Sequence, residues 1–292
     1  MCPSKENICA VVVTYFPDPG LRDRLDRTRP QVADIVIVDN ASDEQSFKNV
    51  QAGLGSSGAD VIRNSANLGI AAALNQGLQW AHSKGYQWVL LLDQDTVPAL
   101  DLVPTLIRAF NDFPDKNQLA MLGSNRVLNR VPNKKYSTNG WWGITEMVIT
   151  SGSLLSLDAA GKIGPFREDF FIDCVDFEFC LRARSMGFKI VEILVPRMEH
   201  FIGEPKTVRL LWWRIHAYNH QPKRSYYLMR NFIVLTREYC LKDPWWLFRM
   251  SYAIGRVMLV TVLLEESRIA KLKYILLGLY DGLVGRFARD IG

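Results

Sequence analysis

Four large apolar residues, Val89-Leu90-Leu91-Leu92, run straight into two aspartates one residue apart, Asp93 and Asp95. After a helical segment, such a run reads as a strand covered on both faces, the strand type of a parallel sheet with flanking helices. Residues i and i+2 of an extended chain point to the same side, so the spacing predicts two carboxylates converging at the strand's C-terminal end. Open α/β sheets place their ligands at those ends. Close anions repel unless a cation lies between them, and carboxylate oxygens suit Mg2+ or Mn2+ bridging a diphosphate. One aspartate could equally cap the next helix while the other is simply solvated. The surrounding chain has to decide.

Apolar β-rich strands are predicted over residues 8–14, 35–39 and 60–63, with helices over 42–54 and 68–83, the second closing at Lys84-Gly85. A loop carrying Pro17 and Pro19 follows the first strand. The aspartate-bearing strand covers 87–92, followed by a helix over 101–111 and a strand over 118–123. This alternation through about residue 125 predicts an α/β fold with a mostly parallel sheet flanked by helices. Beyond it, 131–140 reads as a polar loop, 141–157 as extended, 175–186 as a helix closed by Gly187, and 188–193 as a strand. From residue 207 nearly everything reads as helix. The expected division is an α/β domain over 1–205, in two halves over about 1–125 and about 126–205, with a helical C-terminal region over 206–292.

Charge is unevenly spread. Residues 201–292 carry 15 Lys and Arg against 7 Asp and Glu, leaving 20 against 23 in the first 200. The basic tail is also rich in Trp, Tyr, Leu and Val, which suits a membrane surface better than nucleic acid. Arg256 interrupts its best apolar run, so the tail is expected to lie on a membrane rather than cross it. A packed helical hairpin or a homo-oligomer interface would use similar residues. Five cysteines, Cys2, Cys9, Cys174, Cys180 and Cys240, show no C-x-x-C spacing, which argues against a disulfide framework or structural zinc and favours a reducing cytosol. The polar residues 1–7 lead directly into a strand, so no signal peptide is expected.

The loop after the first strand, Thr14-Tyr15-Phe16-Pro17, lacks both G-x-G-x-x-G and G-x-x-x-x-G-K-[ST]. This counts against a dinucleotide-binding Rossmann domain and a P-loop enzyme. Neither G-x-S-x-G nor H-E-x-x-H occurs. What is present, in order, is Val11-Val12-Val13-Thr14-Tyr15, Val38-Asp39-Asn40-Ala41-Ser42, Asn64-Ser65-Ala66-Asn67-Leu68-Gly69-Ile70-Ala71 and Asp93-Gln94-Asp95. These segments resemble glycosyltransferase family 2, which has the GT-A fold, and within it the bacterial rhamnosyltransferases.

The resemblance implies that Thr14, Tyr15, Asp39, Asn67, Asp93, Gln94 and Asp95 bind a nucleotide sugar. In it Asp39 accepts the imide N–H of a uracil or thymine ring, Asp93 lies near the ribose and Asp95 binds the metal. Taken singly, Asp39 with Asn40 also suits a plain turn, and Asn67 a helix N-cap.

In the second half, Thr150-Ser151-Gly152-Ser153-Leu154 resembles the family's segment lining the acceptor site, which implicates Gly152 and Ser153. The stretch Phe170-Phe171-Ile172-Asp173-Cys174-Val175-Asp176 ahead of Cys180-Leu181-Arg182 resembles the segment carrying the catalytic base, which falls on Asp176, with Asp173 an acceptor contact. The family often has a Glu where this chain has Val175. Asp173 and Asp176 would also suit a helix-capping pair. His200-Phe201-Ile202-Gly203 resembles the downstream H-x-x-G whose His completes the metal site. The segment around Arg224 and Arg230 resembles the rhamnosyltransferase subgroup. Its arginines would hold phosphates of the donor or of a lipid diphosphate, or else form a basic helix face. His82 has no acidic or cysteine neighbour and is given no role.

The expectation is therefore an inverting glycosyltransferase dependent on Mg2+ or Mn2+. It would pass L-rhamnose from dTDP-L-rhamnose to a glycan or lipid-linked glycan acceptor in surface-polysaccharide synthesis. It would work in the cytoplasm, peripherally on the inner face of the membrane. The alternatives are a UDP-galactofuranose, UDP-glucose or UDP-N-acetylhexosamine donor, a sugar-phosphate nucleotidyltransferase, and a catalytically silent scaffold.

Overall fold

The computed structural model describes residues 1–54, 59–126, 140–200, 206–210, 213–217 and 219–287. They divide into two compact units, Met1–Glu168 with Phe179–His200, and Asp169–Glu178 with Phe201–Gly292.

The first unit is built on a sheet centred on β1 (Ile8–Thr14), whose seven residues are all buried. β1 runs parallel to β2 (Asp34–Asp39) on one side and to β4 (Trp88–Asp93) on the other, with β3 (Asp60–Arg63) parallel to β2 at the edge. Strand order thus reverses between β2 and β4. The register puts Thr14 opposite Asp39 and Val13 opposite Asp93, so three polar strand ends stand at one level.

Beyond β4 the sheet becomes mixed. A short β5 (Thr96–Pro98) follows directly on β4, then come β6 (Leu119–Arg126), β7 (Trp142–Thr145), β8 (Ser153–Ser156) and β9 (Lys189–His200). β8 lies antiparallel between β4 and β6, β9 is parallel to β6, and β5 and β7 are antiparallel to β9. The expected parallel character holds for β1 to β4 and not for this half.

Helices cover the sheet where their spacing provides an apolar stripe. α1 (Leu21–Thr28) buries Leu21 and Leu25, and α2 (Glu44–Leu54) buries Val50. α3 (Ile70–Ser83) is lined with alanines, and a Cβ on its Gly77 would overlap Val11 of β1. α4 (Leu102–Asp112) buries Leu102, Val103, Leu106, Ala109 and Phe110 on one face, with the Phe110 ring edge-on to Trp88. α1 lies where the sequence suggested a loop, because only two of its eight residues are apolar core positions. α5 (Leu157–Ile163) begins at the last residue of the expected extended stretch, started by the Ser156 hydroxyl accepting from the Ala159 N–H. α6 (Val175–Ser185) ends ahead of Gly187 at φ 87°.

In the second unit, the expected uninterrupted helix from residue 207 is corrected. β10 (Lys206–Leu210) and β11 (Trp213–Ala217) form an antiparallel pair, as their Thr, Val, Trp and Ile content favours. α7 (Pro222–Tyr239), α8 (Pro244–Leu264) and α9 (Arg268–Val284) follow. α9 packs on α7 at backbone distance: a Cβ on Gly278 would overlap the Tyr226 carbonyl, and one on Gly282 would come within 2.8 Å of the Arg230 carbonyl oxygen. Polar groups sealed in this unit are paired. Tyr226 donates to Asp281 at 2.9 Å, and Lys271 meets Glu265 at 2.8 Å and Asn219 at 3.0 Å. Burial, with the bond to Asp281, raises the Tyr226 pKa.

α8 is long and apolar enough to cross a membrane by length and composition, alone in this among the described residues. This corrects the expectation that no such stretch exists: Arg249 and Arg256 sit within a continuous 21-residue helix. Its outward face shows Trp245, Phe248, Tyr252, Leu259 and Leu263, and α9 adds Ile269, Leu276 and Tyr280.

Candidate active site

The C-terminal ends of β1, β2 and β4 gather most of the expected nucleotide-binding residues at the strand-order reversal, where open α/β sheets bind ligands. Asp39 is fully buried. Its Oδ1 accepts from the Thr14 hydroxyl at 2.9 Å and the Ser42 hydroxyl at 2.6 Å, and its Oδ2 from the Ser42 N–H at 3.0 Å. Arg63 Nε stands 4.0 Å from Oδ2. The carboxylate therefore ties two strand ends to the following loop and has no face open to solvent. Thr14 is likewise sealed.

Gln94 has a framing role too. Its side-chain oxygen accepts from the Tyr15 N–H at 2.6 Å and its amide donates to the Tyr15 carbonyl at 3.0 Å, so it extends β1 as a paired strand residue would. The Tyr15 ring, packed edge-on against Phe16, remains exposed. Asn67 accepts from the Gly69 N–H and from the Asn40 amide, and α3 starts after Gly69 at φ 86°, so Asn67 shapes the turn and is not the N-cap. Asn40 also accepts from the Leu68 N–H and the Asn64 amide.

The two aspartates do not share an extended strand, as their spacing suggested. Asp93 ends β4, whereas Gln94 and Asp95 form the turn into β5. Both carboxylates are half-buried. The Asp93 N–H donates to the Ser151 hydroxyl at 3.0 Å, and that hydroxyl also bonds Thr96, so Ser151 pins both sides of the turn. Antiparallel pairing sets the His200 backbone opposite Thr96, one residue along from Asp95. The His200 side chain lies outside the description. Among the described residues no group of three or more His, Cys, Asp or Glu gathers as a metal site. The half-buried Asp95 carboxylate is a hard oxygen donor of the kind Mg2+ and Mn2+ take.

Gly152 adopts φ 74°, donates to the Leu91 carbonyl at 2.8 Å, and has Met198 where a Cβ would stand. Ser153 is fully buried with its hydroxyl on the Ile149 carbonyl, so the expected acceptor contact is corrected for its side chain.

In the second unit, Asp176 is the second residue of α6, half-buried, its Oδ1 accepting from the Phe177 N–H. Asp173 is turned to Arg224, whose Nε and Nη2 contact its carboxylate at 2.9–3.2 Å, so it does not cap α6. Arg230 is 1% exposed and donates to the Asp169, Phe170 and Phe287 carbonyls and to the Asn231 side chain. Neither the expected phosphate contact nor a solvated basic face describes Arg230, because its buried guanidinium is spent on main-chain oxygens and the Asn231 side chain. Arg224 pairs with the Asp173 carboxylate and stays partly exposed. Asn231, fully buried, gives its amide to the Phe170, Ile172 and Asp173 carbonyls, each at 2.9 Å. Cys174 is buried beside Asp173 and Asp176, and burial and then those charges push its thiol well above its usual range.

Sequence reasoning passed over Ser42, Arg63, Ser151 and Asn231. The only available signal was that Ser42, Ser151 and Asn231 fall inside or beside resembling segments.

The family model Glycosyl transferase family 2 matches residues 9–150. Over 295 residues, 96% of each chain, the protein is 26% identical to dTDP-rhamnosyl transferase RfbF of Shigella flexneri. Mannosyltransferase PcManGT from Pyrobaculum calidifontis, solved with GDP-Man and Mn2+, has a similar fold at a TM-score of 0.60 and 17% identity, over 96% of this chain and 88% of that one. So has S. aureus TarS 1–349 in complex with UDP-GlcNAc, at 0.53 and 14%, over 98% and 94%. Residues 9–150 thus match the glycosyl transferase family 2 model, the fold is GT-A, and the chain is a glycosyltransferase.

Proposed function

We propose that the chain is an inverting, metal-dependent rhamnosyltransferase that uses dTDP-L-rhamnose and a saccharide or lipid-linked glycan acceptor in surface-polysaccharide synthesis. The observation that carries the donor is the similarity to a dTDP-rhamnosyl transferase across 96% of both chains. In this reading the nucleotide lies against the Tyr15 ring, Asn67 and the ends of β1, β2 and β4. Asp39 takes the imide N–H once uncovered, and Asp93 lies by the ribose. Asp176 takes the proton of the acceptor hydroxyl as its oxygen attacks the anomeric carbon opposite the departing diphosphate, which inverts the configuration. Asp95 and His200 would hold Mg2+ or Mn2+, whose chemistry there is to neutralise the leaving diphosphate.

Asp39 would bind uracil as readily as thymine, and TarS is solved with UDP-GlcNAc, so a UDP-sugar is the second reading. Thermal shift against a panel of nucleotide sugars decides between them. Stabilisation by dTDP-L-rhamnose above UDP-sugars is expected, and its failure to stabilise would overturn the donor.

The reading places the enzyme in the cytoplasm, peripherally on the membrane's inner face. Supporting this, the outward faces of α8 and α9 combine apolar and aromatic side chains with Arg249, Arg256 and Lys273 and expose no acid. Two arginines at mid-helix favour α8 lying in the interface over crossing.

A further inference from the structure

Phe171, Asp173 and Cys174 have φ of 60°, 62° and 61°. Three left-handed residues among four consecutive ones, none of them Gly or Asn, make a turn that relaxes unless its surroundings over-determine it. A chain shaped for stability alone would place Gly or Asn there. What over-determines the turn is one face of α7. Asn231 holds three successive stretches of its backbone through the Phe170, Ile172 and Asp173 carbonyls. Arg224 forks onto the Asp173 carboxylate, and Tyr227 stacks on the Phe171 ring at 4.9 Å. Positions 224, 227 and 231 are spaced as one helical stripe. The turn ends directly before α6, whose second residue is Asp176. An α-helix rotates about 100° per residue, so where α6 begins sets where Asp176 points.

We propose that Arg224 and Asn231 are positioning residues for Asp176: from α7 they hold the left-handed turn and so fix the direction in which this carboxylate leaves α6. The proposal rests on the reading of Asp176 as the base. It gives Arg224 a function other than phosphate binding, and it accounts for a strained turn that core packing alone does not require. Strain of this kind is retained where orientation matters more than stability.

The test uses the full chain with dTDP-L-rhamnose and a lipid extract of the host as acceptor, and the thermal shift caused by dTDP as a separate readout of nucleotide binding. Arg224→Gln and Asn231→Leu are expected to lower kcat at least tenfold, with donor KM within twofold and the dTDP shift unchanged. Arg224→Lys, which keeps the charge and loses the fork, should recover part of the rate. Should Asn231→Leu fail to fold, Asp173→Asn replaces it: Asn tolerates the left-handed conformation, and the variant should follow Arg224→Gln. Wild-type kcat in these variants, with Asp176→Asn inactive, would overturn the positioning role and leave the base standing. Parallel losses of kcat and of the dTDP shift would reduce the contacts to a structural role and likewise overturn it. Wild-type turnover in Asp176→Asn would instead remove the base reading.

Discussion

The strand ends at Thr14, Asp39 and Asp93 and the turn over Phe171–Cys174 solve one problem, aiming polar groups, by opposite means. At the strand ends the backbone runs in relaxed parallel ladders, and side chains such as Asp39, Gln94 and Ser151 only tie neighbouring ends together. At the turn the backbone is unfavourable at three of four residues, and Arg224 with the buried Asn231, more than fifty residues downstream, impose it. Along the strands the ladder itself supplies direction, and side chains act only where the chain leaves the sheet. A turn ahead of a helix has to borrow its direction.

The largest expected effect breaks the chemistry and leaves both regions standing. Asp176→Ala should lower kcat by about 10^2–10^4-fold, the span of general acid–base contributions. Steady-state turnover checks it, with circular dichroism showing an unchanged fold. Next comes the buried clamp. Arg230→Met strands the Asp169 and Phe287 carbonyls and the Asn231 side-chain oxygen and should cost about 3 kcal/mol in urea unfolding. Asp39→Asn, the matching change at the strand ends, keeps acceptors for most of its donors and should cost less. A smaller loss tests the relaxed region directly. Gly152→Ala puts a Cβ against Met198 at φ 74° and should cost about 2 kcal/mol.

The smallest effect is a pH dependence near the turn. Burial, and then the Arg224 charge, lower the His220 pKa, against opposing contributions from Asp173 and Glu265. A depressed folded pKa means that the unfolded chain binds the proton more readily. The contribution of His220 is therefore fully present above the ordinary pKa of 6.5 and lost as pH falls through the lowered value. His220→Gln should flatten the loss of melting temperature between neutral pH and pH 5.

The contrast also explains what could be read from the sequence. Val38-Asp39 and Leu92-Asp93 are local signals, an apolar run followed by a polar stop, and the structure puts both at strand ends on one level. α1 escaped because Leu21 and Leu25 alone mark its buried face amid Arg and Asp. The antiparallel placement of β8 between β4 and β6 leaves no mark in a four-residue strand whose two partners lie thirty or more residues earlier in the chain. Arg224 and Arg230 showed their charge but not their partners: one meets a carboxylate, the other bare carbonyls, and neither choice is written within the helix that carries them.

The bare outward face of α8 has a practical consequence for handling the protein. Attraction of its apolar side chains to one another grows on warming and with sulfate or phosphate salts. Attraction of Arg249 and Arg256 to anionic surfaces fades as any salt is raised. On the proposed membrane reading, sodium chloride should weaken binding to anionic vesicles, whereas ammonium sulfate should drive the chain into self-association. A mild detergent that coats α8 would suppress the second behaviour.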